Sequence, residues 1–129
     1  RMDNISINKK ISQSYYLQII KVCKYIEQNY KNDITLDDAA KMAGYSKEYF
    51  SKLFKEVVGE NFKTFLDYVR ISEAQCILAR EHLSISETAE RVGYNCPYSF
   101  SRVFKRVKGF PPSELLDIGD NTLNSKPGY

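Results

Sequence analysis

The sequence predicts an all-α fold of about seven helices, in which one two-helix unit occurs twice around a long connecting helix. Three observations predict it. The segment Ile34 to Gly59 recurs as Leu83 to Gly109. Both copies open on the same hydroxyl-then-acid capping signature. Apolar residues recur at spacings of three and four, as on a helix face, and no convincing strand emerges.

The first helix is expected from Ser14 to about Tyr30, with Tyr16, Ile19, Ile20, Cys23, Ile26 and Tyr30 on one stripe. Residues 1–12 lack a core pattern and read as a flexible N-terminal tail or linker. Opening on Arg1 rather than Met suggests a processed or excised fragment. The repeat follows. Ala40-x-x-x-Gly44-Tyr45 returns as Ala89-x-x-x-Gly93-Tyr94, an offset of 49. Phe50-Ser51-x-x-Phe54-Lys55 returns as Phe100-Ser101-x-x-Phe104-Lys105, an offset of 50. One extra residue therefore lies between Tyr94 and Phe100.

Each copy reads as two helices joined by a tight turn, over residues 35–57 and 84–107. Thr35-x-x-Asp38 and Ser84-x-x-Glu87 are capping boxes. Leu36, Ala39, Ala40 and Ala43 give the first short helix its apolar face, and Ile85, Ala89 and Val92 give the second copy its own. Gly44 and Gly93 stop these helices in the left-handed conformation that glycine tolerates. Ser46 and Asn95 are expected to cap the next helix. That helix buries Phe50, Leu53, Phe54 and Val57 in the first copy, and Phe100, Val103, Phe104 and Val107 in the second.

A connecting helix over 61–79 carries Phe62, Phe65, Leu66, Val69, Ala74 and Leu78. A short last helix runs from Pro112 to about Leu116, since Pro suits a first turn. The domain is placed at 13–117, and 118–129 reads as a flexible C-terminal tail.

The bulk numbers exclude several classes. A 43% hydrophobic and 13% aromatic chain can build a core, and six Gly with four Pro are too few for disorder. No apolar run reaches the roughly 18 residues of a membrane span, and the polar start lacks a secretory signal. Cys23, Cys76 and Cys96 form no C-x-x-C pair, so they read as reduced cytosolic thiols, with Cys23 and Cys76 as core positions. Metal and cofactor are not expected.

Net charge is only +3, so distribution matters more than total. From Tyr98 to Lys108 lie Arg102, Lys105, Arg106 and Lys108 without an acid. With the apolar residues inside, the second helix of the first copy turns Lys47, Glu48, Ser51, Lys52 and Lys55 outward. The second copy turns out Pro97, Tyr98, Ser101, Arg102, Lys105 and Arg106. Short hydroxyls permit close approach to a DNA groove, and the neighbouring cations reach guanine edges or phosphates. Lys52 and Arg102 are the expected base-edge contacts, helped by Ser51, Ser101, Lys47, Glu48 and Tyr98. Lys55, Lys105 and Arg106 are the expected phosphate contacts. Glu48 either accepts from a cytosine amine or offsets the helix dipole. Tyr98 either meets a thymine methyl or phosphate, or folds back on the surface.

The 18 residues from Asn61 to Leu78 make a helix about 27 Å long at roughly 1.5 Å per residue. With half a unit added, that suits two recognition helices in major grooves about 34 Å apart.

The chain resembles the DNA-binding domain of the AraC/XylS family, in the form found in two-component response regulators. The resemblance rests on Ile34-Thr35-Leu36-Asp37-Asp38-Ala39-Ala40, Gly44-Tyr45-Ser46, Phe50-Ser51-Lys52-Leu53-Phe54-Lys55 and Gly59-Glu60-Asn61-Phe62. In the second copy it rests on Ser84-Ile85-Ser86-Glu87-Thr88-Ala89, Val92-Gly93-Tyr94-Asn95, Phe100-Ser101-Arg102-Val103-Phe104-Lys105-Arg106 and Gly109-Phe110-Pro111-Pro112. It covers about residues 14 to 116. It implies seven helices in two homeodomain-like helix-turn-helix units, sequence-specific double-stranded DNA binding at promoters, and transcription regulation in the cytoplasm. The partners it implies are duplex DNA, RNA polymerase and a sensor or receiver domain of the same full-length protein.

The chain departs from the family pattern in three places. Pro111 stands where a Ser or Thr often caps the last helix. Leu115 and Leu116 replace an aromatic and an Arg, removing one phosphate contact. Ser99 stands directly before Phe100, where the family usually has its Tyr, and Tyr98 comes one earlier.

Two rival classes make different demands. An enzyme would need a base to activate its serines, and the lone histidine, His82, sits at a helix end. A helical protein-interaction module without base-specific DNA binding would use the ten tyrosines on its surface. Tyr45 and Tyr94 fit turn or core positions instead.

Overall fold

The structure, a computed structural model, describes residues 2–116, with side chains described from residue 13 onward. The expected tail at 118–129 lies outside the described residues. The elements run α1 (Met2–Asn29), α2 (Leu36–Ala43), α3 (Lys47–Val58), α4 (Phe62–Arg80), α5 (Ile85–Arg91) and α6 (Pro97–Lys108). A final helical turn follows at residues 113–116. No strand occurs among the described residues.

The first helix is longer than expected. Its backbone is helical from Met2, through the stretch read as a tail. No Gly or Pro interrupts residues 1–43, so nothing in the chain stops the helix at Ser14. The buried stripe is also turned by about one residue. It runs through Ile19, Val22 and Ile26, while Tyr16 is half exposed.

The chain divides into two compact units. One gathers α1 and residues 34–66, and the other gathers residues 30–33 and 67 onward. In the first unit α1 packs on both α2 and α3. Ala39, Ala40 and Ala43 are buried, and such small side chains let the neighbouring helices close in. The centre is aromatic. Phe54 stands 5.6 Å from Phe50, 6.0 Å from Phe62 and 5.7 Å from Phe65, ring centre to ring centre. These separations are those of tilted and edge-on pairs, which gain beyond area burial alone.

In the second unit Ile71, Ala74, Ile77 and Leu78 of α4 meet Ala89, Val92, Tyr94, Phe100 and Phe104. Tyr30, expected on the first helix's stripe, packs against this second core instead. Leu115 and Leu116 also pack there, which gives the departure from the family's aromatic and Arg a core role. Cys76 is exposed, contrary to expectation. Ala74, Ile77 and Leu78 occupy the buried arc of α4, and Cys76 falls on its far side. Cys23 is half-buried, and burial first, then Glu27, pushes its thiol up to about 11.

Candidate nucleic-acid interface

Local chemistry places the two exposed helices. Both capping boxes form. The amide of Asp38 donates to Thr35 Oγ1 at 3.1 Å, and the amide of Thr35 donates back to the Asp38 carboxylate at 3.1 Å. The second copy matches it, with Glu87 N to Ser84 Oγ at 3.0 Å and Ser84 N to Glu87 Oε1 at 2.9 Å. Each turn passes through a left-handed glycine, Gly44 at φ 81° and Gly93 at φ 105°. The chain then bonds back on itself, Tyr45 N to Ala40 O at 3.0 Å and Tyr94 N to Ala89 O at 2.8 Å.

The extra residue of the second copy sits directly after this bond. Ser46 caps α3, accepting from the amide of Tyr49 at 3.2 Å. Asn95 does not cap α6. The cap position is Cys96, followed by Pro97 in the first turn. Phe50 N bonds to Ser46 O and Phe100 N to Cys96 O, so Cys96 matches Ser46 and Asn95 is the inserted residue. Cys96 makes no side-chain cap hydrogen bond of ordinary geometry. The amides of Ser99 and Tyr98 nevertheless favour its thiolate and lower its pKa.

With Phe50, Phe54, Phe100 and Phe104 fully buried, the opposite faces of α3 and α6 are set. Lys47, Glu48, Lys52 and Lys55 are exposed, and Ser51 is half-buried beside them. Pro97, Tyr98, Arg102, Lys105 and Arg106 are exposed, and Ser101 is half-buried. Lys47 lies 3.9 Å from Asp37, an exposed and weak pair. Tyr98 is 71% exposed, and the Arg102 guanidinium carbon lies 5.9 Å from its ring centre one turn away. The Tyr98 ring thus lies beside Arg102 and is largely open to solvent. Arg102, Lys105 and Arg106, with Val103, line one hollow of about 500 Å³ on α6.

Two of the four cations from Tyr98 to Lys108 are engaged by α4. Arg106 donates to the Asp67 carboxylate at 2.9 Å, and Lys108 lies 5.9 Å from the ring centre of Tyr68. Arg102 and Lys105 remain the outward pair. Linear order could not show this, because Asp67 stands 39 residues away.

Sequence reasoning missed Asp67 and Arg70, which are 2% and 6% exposed. Tyr94 donates its hydroxyl to Asp67 at 2.7 Å. Burial first, then that bond and the Asp67 charge, push the Tyr94 pKa far up. Arg70 donates to the backbone carbonyls of Tyr30 at 2.7 Å and Asn32 at 2.9 Å, and lies 5.3 Å from the Tyr94 ring centre. A signal existed. Leu66, Arg70, Ala74 and Leu78 fall at steps of four, so a charge sat inside the predicted apolar stripe.

His82 ends the chain's run out of α4 at φ 57°, a left-handed residue. Histidine is among the residues that tolerate this conformation. No three His, Cys, Asp or Glu side chains gather to hold a metal among the described residues. No helix of the described residues is long and apolar enough to cross a membrane.

The fold and its exposed second helices define a double helix-turn-helix domain. A helix-turn-helix domain family matches residues 39–117. The HTH-type transcriptional regulator YpdC of Escherichia coli is 33% identical over 93 residues, covering 72% of this chain and 33% of that protein. The HTH-type transcriptional activator AarP of Providencia stuartii is 31% identical over 121 residues, 92% of this chain and 90% of that protein. The C-terminal domain of AraT, a response regulator from Geobacillus stearothermophilus, superposes with a TM-score of 0.74 at 30% identity, covering 78% of this chain and 84% of that one. The chain belongs to the AraC/XylS-type helix-turn-helix family of transcriptional regulators. It spans a third of the length of YpdC.

Proposed function

We propose that the chain is the sequence-specific DNA-binding part of a longer transcription regulator, with α3 and α6 each entering a major groove of one duplex. One observation carries the reading. Both second helices put a hydroxyl and then cations on the face opposite two fully buried phenylalanines. Ser51, Lys52 and Lys55 do so in α3, and Ser101, Arg102 and Lys105 in α6. A merely solvated face has no reason to repeat that order.

Lys52 and Arg102 read base edges, with Ser51, Ser101, Lys47 and Glu48 beside them. Lys55 and Lys105 hold phosphates. Pro97 starts α6 at the groove, and Tyr98 supports Arg102. The likeness to AraT supports an upstream receiver or sensor domain in the whole protein. RNA polymerase at a promoter, in the cytoplasm, completes this reading.

The test is selection of this chain against a randomised duplex pool at two salt concentrations. Two enriched blocks about one helical turn apart, both weakened by salt, are expected. Arg102→Ala should cost roughly 1–3 kcal/mol and relax preference at one position of the second block. No enrichment in either block would overturn the reading.

A further inference from the structure

We propose that Arg106 is a positioning residue that locks α6 onto α4 through Asp67, and is not a phosphate clamp. The proposal rests on the DNA-binding reading above.

Four side chains form a connected line within the second unit. Arg70 holds the carbonyls of Tyr30 and Asn32 and lies over the Tyr94 ring. Tyr94 donates to one oxygen of Asp67, and Arg106 donates to the other. Asp67 is 2% exposed, whereas the Arg106 side chain is 60% exposed. That asymmetry decides where Arg106 stays. Breaking a hydrogen-bonded ion pair to a buried carboxylate is costly, whereas a solvent-exposed ion pair gains little. Swinging Arg106 to a phosphate would give up a 2.9 Å bond to a buried carboxylate for an exchange made largely in water.

The lock has a consequence for recognition. Arg106 lies one turn beyond Arg102 on the same flank of α6. Seating that flank on α4 limits the roll of α6 about its axis, and so fixes where Arg102 points. The line also includes Gly93. A Cβ there would stand 3.1 Å from Arg70 Nε and Cζ and 3.1 Å from the carbonyl oxygen of Lys31. The first copy's Gly44 has open space at the same place.

Salt dependence separates a lock from a clamp. The measurement is binding of the whole chain to a mixed-sequence duplex over a salt series, for the wild type and for Lys105→Ala, Arg106→Gln and Asp67→Asn. Lys105→Ala should flatten the slope of log K against log salt by about 0.9, one phosphate contact. Arg106→Gln should leave the slope at the wild-type value. Asp67→Asn, which releases Arg106, should steepen it. A clamp gives the reverse pattern, with Arg106→Gln flattening the slope and Asp67→Asn leaving it unchanged, and that result overturns the proposal. Should a single variant unfold, the doubly neutral Asp67→Asn, Arg106→Gln protein carries the slope test.

Thermal melting supplies a second readout. The double variant should melt no lower than the worse single one, and additive shifts would overturn the lock. If the wild type binds no duplex, the DNA-binding reading falls and this melting cycle alone decides the lock.

Discussion

The two helix-turn-helix copies share their local rules and differ in what surrounds them. Both carry a complete capping box, a left-handed glycine and the same backbone bond across the turn. The first copy then rests on an aromatic centre of Phe50, Phe54, Phe62 and Phe65. Its turn tyrosine, Tyr45, is half-buried and meets Tyr15 and Tyr49 edge-on at 6.2 and 5.2 Å. The hydrogen bond with Tyr15 pushes the Tyr49 hydroxyl up to about 12. The second copy's turn tyrosine, Tyr94, is buried and tied to Asp67. The second copy has its own aromatic pairs, Phe100 with Phe104 and Phe104 with Phe110, so what differs is whether the turn tyrosine meets other tyrosines or a buried carboxylate. The motif's own residues set the turn, and more distant residues set how stiffly the turn is held.

The largest test of this comparison is at the shared centre. Phe54 and Phe104 are both fully buried, so Phe54→Ala and Phe104→Ala should each cost roughly 3–5 kcal/mol. Hydrogen exchange should show amides of α3 opening in the first variant and those of α6 in the second. Simultaneous opening of both helices in either variant would break the picture of separate foundations.

A smaller effect sharpens it. At Gly44 an added Cβ meets nothing within 4 Å, so Gly44→Ala should cost only the left-handed backbone strain of about 1–2 kcal/mol. Gly93→Ala carries the same strain and also crowds Arg70 and the Lys31 carbonyl at 3.1 Å. Denaturant unfolding should therefore find Gly93→Ala the more damaging change. Equal losses would mean that the Arg70 side chain yields freely.

The smallest effect tests what the copies share. The Asp38 carboxyl is held below its ordinary value by the Thr35 amide and then its hydroxyl, and Ser84 does the same for Glu87. A lowered folded pKa stabilises the fold above the ordinary carboxylate range. That contribution is lost as pH falls through the lowered value. Stability should fall below about pH 4 in the wild type. Asp38→Asn and Glu87→Gln should each remove part of that acid dependence, to similar extents. A loss confined to one copy would break the equivalence of the two caps.

The expected interface residues came from the same local patterns, and all eleven lie exposed or half-buried on the outer faces of α3 and α6. What the patterns misjudged was angular detail and long-range pairing. The rotation of the α1 stripe from Tyr16 to Val22 depends on where α2 and α3 press, which spacing alone leaves open by about one residue. The cap of α6 moved from Asn95 to Cys96, because an offset that changes between two motifs locates an insertion only to within the gap.

The sequence by itself determined the two copies, their helix boundaries to within a residue or two, and which face of each second helix turns outward. Capping, glycine turns and three-four spacing act between residues near in the chain, so they are written locally. The tertiary structure alone decided that Arg106 belongs with Asp67, that Arg70 grips the carbonyls of Tyr30 and Asn32, and that Tyr30 serves the second core. Those hydrogen-bonded pairs join residues 38 to 40 apart. A charge reads as solvated until folding shows which distant partner removes it from water.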